Sequence, residues 1–315
     1  RVPAVRAQKV LWEKPTAALA ESILPNVEEL EFGDAVRDSN GSGLNGVVWP
    51  RILKRLVFGR LFNRPLRGVT WPPLLEELTT GCCFDQAIDA DNVQWPRALR
   101  KLTFGFRFDQ TIREVKWPET LQQLEFGHCF NRPVRATRWP QSLQKLTFGC
   151  NFDQEVEGTS WPDSLQEIHF GNRFNRRIER IKWPDSLQIL GFGEDFNQSV
   201  ENVLWPELLE ALSFGHEFDR PLRDAKFPLS LVRLEFGYRF NQAIAGVKWP
   251  AALRHLTFGC LFDQDIDGVV WPSDLLQITF GGAFNRAVDK VVWPSSLQQL
   301  AFGSSFNQEV SEARE

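Results

Sequence analysis

Apolar residues recur along this chain in a pattern of 22 positions, well seen from Trp139 to Ser160. Within that stretch Leu143, Leu146 and Phe148 form an L-x-x-L-x-F segment whose end alternates inward and outward, which predicts a short strand with one buried face. Gly149 then turns the chain, Phe152 and Asp153 make a corner, and Val156 leads on to Trp161 and Pro162, where proline ends strand pairing. No sustained helical period occurs inside the unit. Corners of the same kind follow Trp49, Trp71, Trp95, Trp117, Trp139, Trp161, Trp183, Trp205, Phe227, Trp249, Trp271 and Trp293. The spacing is 22 except for 24 between Trp71 and Trp95, where two residues are added around 90–92, and 26 between Phe32 and Phe58, where Asn40-Gly41-Ser42-Gly43 is the extra loop. One coil cannot bury its own apolar face, so the pattern predicts a stack in which like residue lies on like residue.

The aromatic content fits such columns: of 26 Phe, all but Phe106 and Phe227 fall on two positions of the unit, and Phe227 stands where other units have Trp. The net charge of -4 is mild and the two signs are interspersed, so neither a nucleic-acid stripe nor an acidic tail is present. No apolar run is long enough to span a membrane, and the first 30 residues contain no signal-peptide core. The chain holds no Met and begins at Arg1, so a preceding segment that carries the address is expected. Cys82, Cys83, Cys129, Cys150 and Cys260 lie between the Phe-Gly pair, Thr-Gly in one unit, and the next Phe. At about 4.8 Å per coil only Cys129 and Cys150 come within bonding range, so mostly free thiols and a reducing compartment, cytoplasmic or organellar, are expected. Asn40-Gly-Ser and Asn197-Gln-Ser match the glycosylation sequon, against that compartment, although Asn197 belongs to a motif expected to turn inward.

At the N-terminus, Pro15 to Ile23 reads as one or two helical turns covering the first coil, and Val10-x-Trp12 echoes the approach to the Trp corner. The expected organisation is a cap and first partial coil over 1–31, a repeat solenoid over 32–310 and a tail over 311–315. With no C-terminal cap, the last coil is expected to meet further protein or a partner.

The L-x-x-L-x-F start of each unit resembles the strand segment of leucine-rich repeats. With Pro140 before it, Leu143-x-x-Leu-x-Phe-Gly-x-x-Phe-Asp-Gln-x-Val156 is similar to the FNIP repeat, a 22-residue relative of leucine-rich repeats. Phe196-Asn-Gln-Ser-Val200, Phe240-Asn-Gln-Ala-Ile244 and Phe306-Asn-Gln-Glu-Val310 repeat its second half, and Phe62-Asn-Arg-Pro-Leu66 and Phe130-Asn-Arg-Pro-Val134 carry the proline often found there. The resemblance covers roughly 24–310, and departs from the family in having Trp, not an aliphatic residue, before the corner proline. It implies a mostly β, leucine-rich-repeat-like solenoid of about 12–13 coils with a short N-terminal helical cap, and protein–protein binding without catalysis.

Three sets of residues are candidates for chemistry. The column Asn63, Asp85, Asp109, Asn131, Asp153, Asn175, Asn197, Asp219, Asn241, Asp263, Asn285 and Asn307 lacks the liganding pattern of a calcium β-roll, and is expected to hydrogen-bond corner backbone instead. His128, His169, His216 and His255 are too scattered over the coils for a metal site or dyad, and nucleophile elbows, phosphate loops and C-x-x-C pairs are lacking, so neither an enzyme nor a cofactor is expected. On the outward face of the strands, Ile189, Gly191, Ala211 and Ser213 form a small-to-apolar patch over two coils, rimmed by Glu167, His169, Arg233 and Glu235, as a docking site does. The expected function is a non-enzymatic scaffold binding a protein partner through a solenoid face, or else a fixed structural subunit of a larger, organellar assembly. Rivals from another class are sugar stacking on the Trp column and ice binding by the Thr-rich strand ladder, which Glu125, His169 and Glu235 interrupt. Nucleic acid and direct membrane insertion are not expected.

Overall fold

The computed structural model describes residues 27–34, 44 and 46–309, together with the backbone of Lys9–Trp12. The expected helical turns at 15–23, the four-residue loop and sequon at 40–43, and the tail lie outside these residues. Among the described residues there is no helix.

The chain forms two compact units, one of 1–154 with 160–165 and one of 155–159 with 166–315. In the first, β1 (Lys9–Trp12), β2 (Glu29–Phe32), β3 (Arg55–Val57), β4 (Glu77–Thr79), β5 (Lys101–Thr103), β6 (Gln123–Glu125) and β7 (Lys145–Thr147) pair in parallel in chain order. In the second, β8 (Glu167–His169), β9 (Ile189–Gly191), β10 (Ala211–Ser213), β11 (Arg233–Glu235), β12 (His255–Thr257), β13 (Gln277–Thr279) and β14 (Gln299–Ala301) do the same. Each unit is thus a parallel β-solenoid with one strand per coil, as the L-x-x-L-x-F pattern requires. β1 departs from the expected register: Val10 pairs with Leu30 and Trp12 with Phe32, so this segment is a strand and not an approach to a Trp corner. Its two-residue alternation suits both positions, which is why the sequence leaves the register ambiguous.

The interior is built from columns. Leu143, Leu146 and Phe152 are fully enclosed, as are their counterparts one coil away, Leu121, Leu124 and Phe130. Inside a coil the two Phe rings stack, at 3.9 Å between centroids for Phe126 and Phe130, and across coils Phe130 lies 6.0 Å from Phe152. The Trp rings stack on each other at 6.2 Å for Trp139 and Trp161, and meet the Phe column edge-on, as Trp139 meets Phe126 at 69°. The invariable Gly after the first Phe has a steric cause. A Cβ on Gly215 would run into the carbonyl of Gly193 one coil below, so backbone lies on backbone there and no side chain fits.

Backbone bonds between coils extend beyond the strands. Gln188 O accepts from both Glu210 N and Ala211 N, at 2.8 and 3.0 Å, and Phe192 N donates to Ser213 O at 2.9 Å. At the corner, Leu143 N donates back to Pro140 O at 3.1 Å, while Ser142 Oγ donates to Leu121 O on the previous coil at 2.7 Å. Where Thr80 replaces Phe, its buried hydroxyl accepts from Gly105 N at 2.8 Å, so the exchange leaves no unpaired polar atom there. The two extra residues after Ile88 are held by Asp89, whose carboxylate accepts from Asp91 N and from Asn92 Nδ2.

Candidate functional site

The parallel register carries the candidate residues of the second unit onto neighbouring strands: Ile189 pairs with Ala211 and Gly191 with Ser213, and these in turn pair with Arg233 and Glu235. Leu190 and Leu212 between them point into the core, so Ile189, Ala211 and Ser213 face outward, half-buried, with Arg233 and Glu235 exposed. His169 does not stand apart as a rim. Its Nε2 lies 2.5 Å from Glu167 Oε1, and a Cβ on Gly191 would come within 2.7 Å of its Nδ1. The imidazole therefore lies across Gly191, which is buried beneath it, and the open part of the patch narrows to Ile189, Ala211 and Ser213.

The corresponding face of the first unit is different. Arg55 reaches Glu29 and Glu77 on either side, at 3.4 and 3.3 Å, and Lys54 bonds Glu28 at 3.0 Å. The Glu28 carboxylate raises the pKa of Lys54. Charges of alternating sign satisfy one another there along the stack. Over Ile189 and Ala211 that alternation stops.

The Asn/Asp column forms a chain of bonds, each side chain serving the coil that follows. Asn63 Oδ1 accepts from Asp85 N and Gln86 Nε2, and Asp85 Oδ1 accepts from Asp109 N and Gln110 Nε2. Asp109 accepts from Asn131 N and Asn131 from Asp153 N, both by Oδ1. In the second unit the series runs Asn175 to Asn197, Asn197 to Asp219, Asp219 to Asn241, Asn241 to Asp263, Asp263 to Asn285 and Asn285 to Asn307, with distances of 2.8–3.0 Å. Where the following residue is Arg, it donates to the backbone carbonyl below, as Arg286 Nε does to Asp263 O, and its Nη2 reaches Asp263 Oδ2 at 2.8 Å. These carboxylates and amides point at backbone, not at a shared centre, and no cluster fit to hold a metal occurs among the described residues.

The remaining candidates are dispersed. His216 stacks on Tyr238 at 4.7 Å and bonds Glu217, which also pairs with Arg239. His128 stacks on Phe106 at 4.4 Å. His255 approaches Gln277 at 3.4 Å. All five cysteines are free thiols. The Trp rings are mostly buried, face to face, which removes the ring faces that sugar stacking needs.

One surface was passed over in the sequence. The residue before each corner Trp lies between two inward positions, and the two-residue alternation of Val203-x-Trp205 is the signal that sends it outward. In the second unit these residues are Lys182, Leu204, Lys226, Lys248, Val270 and Val292. They form one wall of hollows floored by the Trp column, of about 1020 Å³ around Trp183 and Trp205, about 400 Å³ around Trp249 and Trp271, and about 570 Å³ around Trp271 and Trp293.

Comparison with known proteins accords with this architecture. Residues 130–173, 152–195 and 196–239 match the FNIP Repeat model. Among solved structures, CroV588, described as a novel circular LRR protein, is 35% identical over 91% of this chain with a TM-score of 0.76; the chain spans 44% of the length of CroV588. YopM from Yersinia enterocolitica WA-314 is 18% identical over 88% of this chain and 60% of its own, with a TM-score of 0.47. Comparison with curated protein sequences gives no match. Units of 22 residues, one parallel strand to each coil and three matches to the repeat model converge on one statement: the chain carries FNIP repeats and has a leucine-rich-repeat-like solenoid fold.

Proposed function

We propose that this protein is a non-enzymatic binding module that captures a protein partner on the outward strand face of its second unit, at Ile189, Ala211 and Ser213. The fold is of the kind that typically serves as an interaction scaffold. The observation that carries the reading is the break in side-chain pairing. Arg55 is matched by Glu on both sides, whereas Ile189 and Ala211 offer a partner apolar surface without an ion pair to dismantle. Arg233 and Glu235 supply exposed charges at the margin, and the His169–Glu167 pair bounds the other side. Among the described residues no helix is long and apolar enough to cross a membrane, so the reading needs no spanning segment.

The test is capture by the immobilised chain, with the bound protein identified by mass spectrometry and its affinity then measured. Ile189→Glu is expected to leave the circular dichroism spectrum and Tm as they are, because the side chain faces outward, and to abolish capture. Ala211→Arg is expected to do the same by filling the neighbouring position. Undiminished affinity in both variants would overturn the assignment of this face.

A further inference from the structure

We infer that the coil of β4 in the first unit holds a buried site for a small molecule with one flat aromatic ring and an oxygen acceptor on that ring. The register fixes where the ring would lie. Thr79 of β4 pairs with Val57 and with Thr103, so Thr80, the next residue, stands in the column between Phe58 and Phe104. On either side that column is continuous, with Phe32 stacked on Phe58 at 5.6 Å and Phe104 on Phe126 at 5.7 Å. At Thr80 a ring is missing.

The stack has not closed over the loss. In the second Phe column Phe84 lies 6.1 Å from both Phe62 and Phe108, the same as the 6.1 Å between Phe108 and Phe130. Phe58 stays against Phe62 at 4.1 Å and Phe104 against Phe108 at 3.9 Å, as in a complete coil. Phe58 and Phe104 are therefore held apart by the depth of the coil between them. Nor has Phe84 moved across, since its 6.5 Å to Phe104 matches the 6.4 Å from Phe108 to Phe126. What Phe84 lacks is the close stack within its own coil that Phe62 and Phe108 have. A bound ring would take the contacts that the first Phe makes in other coils: a face on Phe84 and an offset stack on Phe58 and Phe104. An apolar space of that size stays dry and takes up a flat apolar molecule, because its lining otherwise lacks contacts.

Thr80 adds a polar requirement. Its oxygen accepts from Gly105 N at 2.8 Å, while its hydroxyl proton meets no acceptor among the described residues, although the residue is only 3% exposed. An oxygen on the ring would accept that proton. The Trp column parts at the same coil: Trp71 stacks on Trp49 at 6.5 Å and Trp95 on Trp117 at 6.1 Å, but they do not stack on each other. This break, where the extra residues follow Ile88, is the side of entry.

The experiment titrates the full chain, with isotope-labelled threonine methyl groups, against anisole, ethylbenzene of the same shape, and puckered cyclohexane. Anisole is expected to bind saturably, about fivefold more tightly than ethylbenzene and at least about tenfold more tightly than cyclohexane. The ring current of bound anisole is expected to shift the Thr80 methyl resonance. Thr80→Val, which keeps the shape and removes the hydroxyl, is expected to retain ethylbenzene and lose the preference for anisole. Thr80→Phe is expected to fold, as the coils with Phe at this position do, and to abolish binding of all three molecules. If Thr80→Phe does not fold, no ring fits there and the inference is overturned. Absence of saturable binding, an unmoved Thr80 methyl resonance, or binding that persists in Thr80→Phe overturns it too. Equal affinity for anisole and ethylbenzene would mark a packing gap without a ligand role, which also overturns it.

Discussion

At the scale of single residues, the same position of every unit is asked for one atom: an oxygen that accepts the backbone N–H of the coil above. Asn241 illustrates it, with Oδ1 at 2.9 Å from both Asp263 N and Gln264 Nε2. Asn and Asp supply that atom equally, which explains why the column mixes them and why their charges need no common ligand. Asn241→Leu is expected to destabilise by about 1–3 kcal/mol, the cost of an unsatisfied donor, whereas Asn241→Asp stays close to the parent in chemical denaturation. If both substitutions cost the same, the bond is not what the position is for. Because these oxygens are committed to backbone donors, added calcium is expected to leave Tm unchanged; a rise of several degrees would mean that the column binds the ion.

At the scale of the coil, the sequence was legible wherever one physical demand repeats. Leu143, Leu146, Phe148, Phe152, Val156 and Trp161 could be assigned to a wall, a corner and a closure because each must pack on a copy of itself. The register of β1 was not legible, since Val10-x-Trp12 satisfies two columns. Nor was the arrangement at Gly191: composition reveals a small residue, but only the fold places the His169 ring over it. The hollows beside the Trp column were missed for a related reason. Leu204, Val270 and Val292 are apolar, and beside a Trp column they invite the assumption of burial, whereas the alternation with Val203, Val269 and Val291 sends them into water. Exposed function has no period, so the site positions are those where the copies disagree.

At the scale of the whole molecule, stability is a sum of coil terms and neighbour terms within each unit. Phe240, fully enclosed and stacked on Phe218 and Phe262 at 6.0 Å on either side, is a sensitive place to test this. Phe240→Ala is expected to cost about 3–5 kcal/mol, and to raise amide hydrogen exchange in its own coil and the adjoining ones. Protection around β14 is expected to persist; its loss throughout the second unit would mean that the unit opens only as a whole. The Asn/Asp bonds, finally, bear on heredity. Each runs from a side chain to the main chain of the successor, so a coil delivers the same acceptor it receives. A tandem duplication or deletion of one 66-nucleotide segment, the coding length of 22 residues, therefore leaves every such bond with a donor and an acceptor. Length in this protein is open to unequal crossing-over in a way that the length of a closed globule is not, whereas an event that is not a whole number of units has to be absorbed in a loop, as the two residues after Ile88 are.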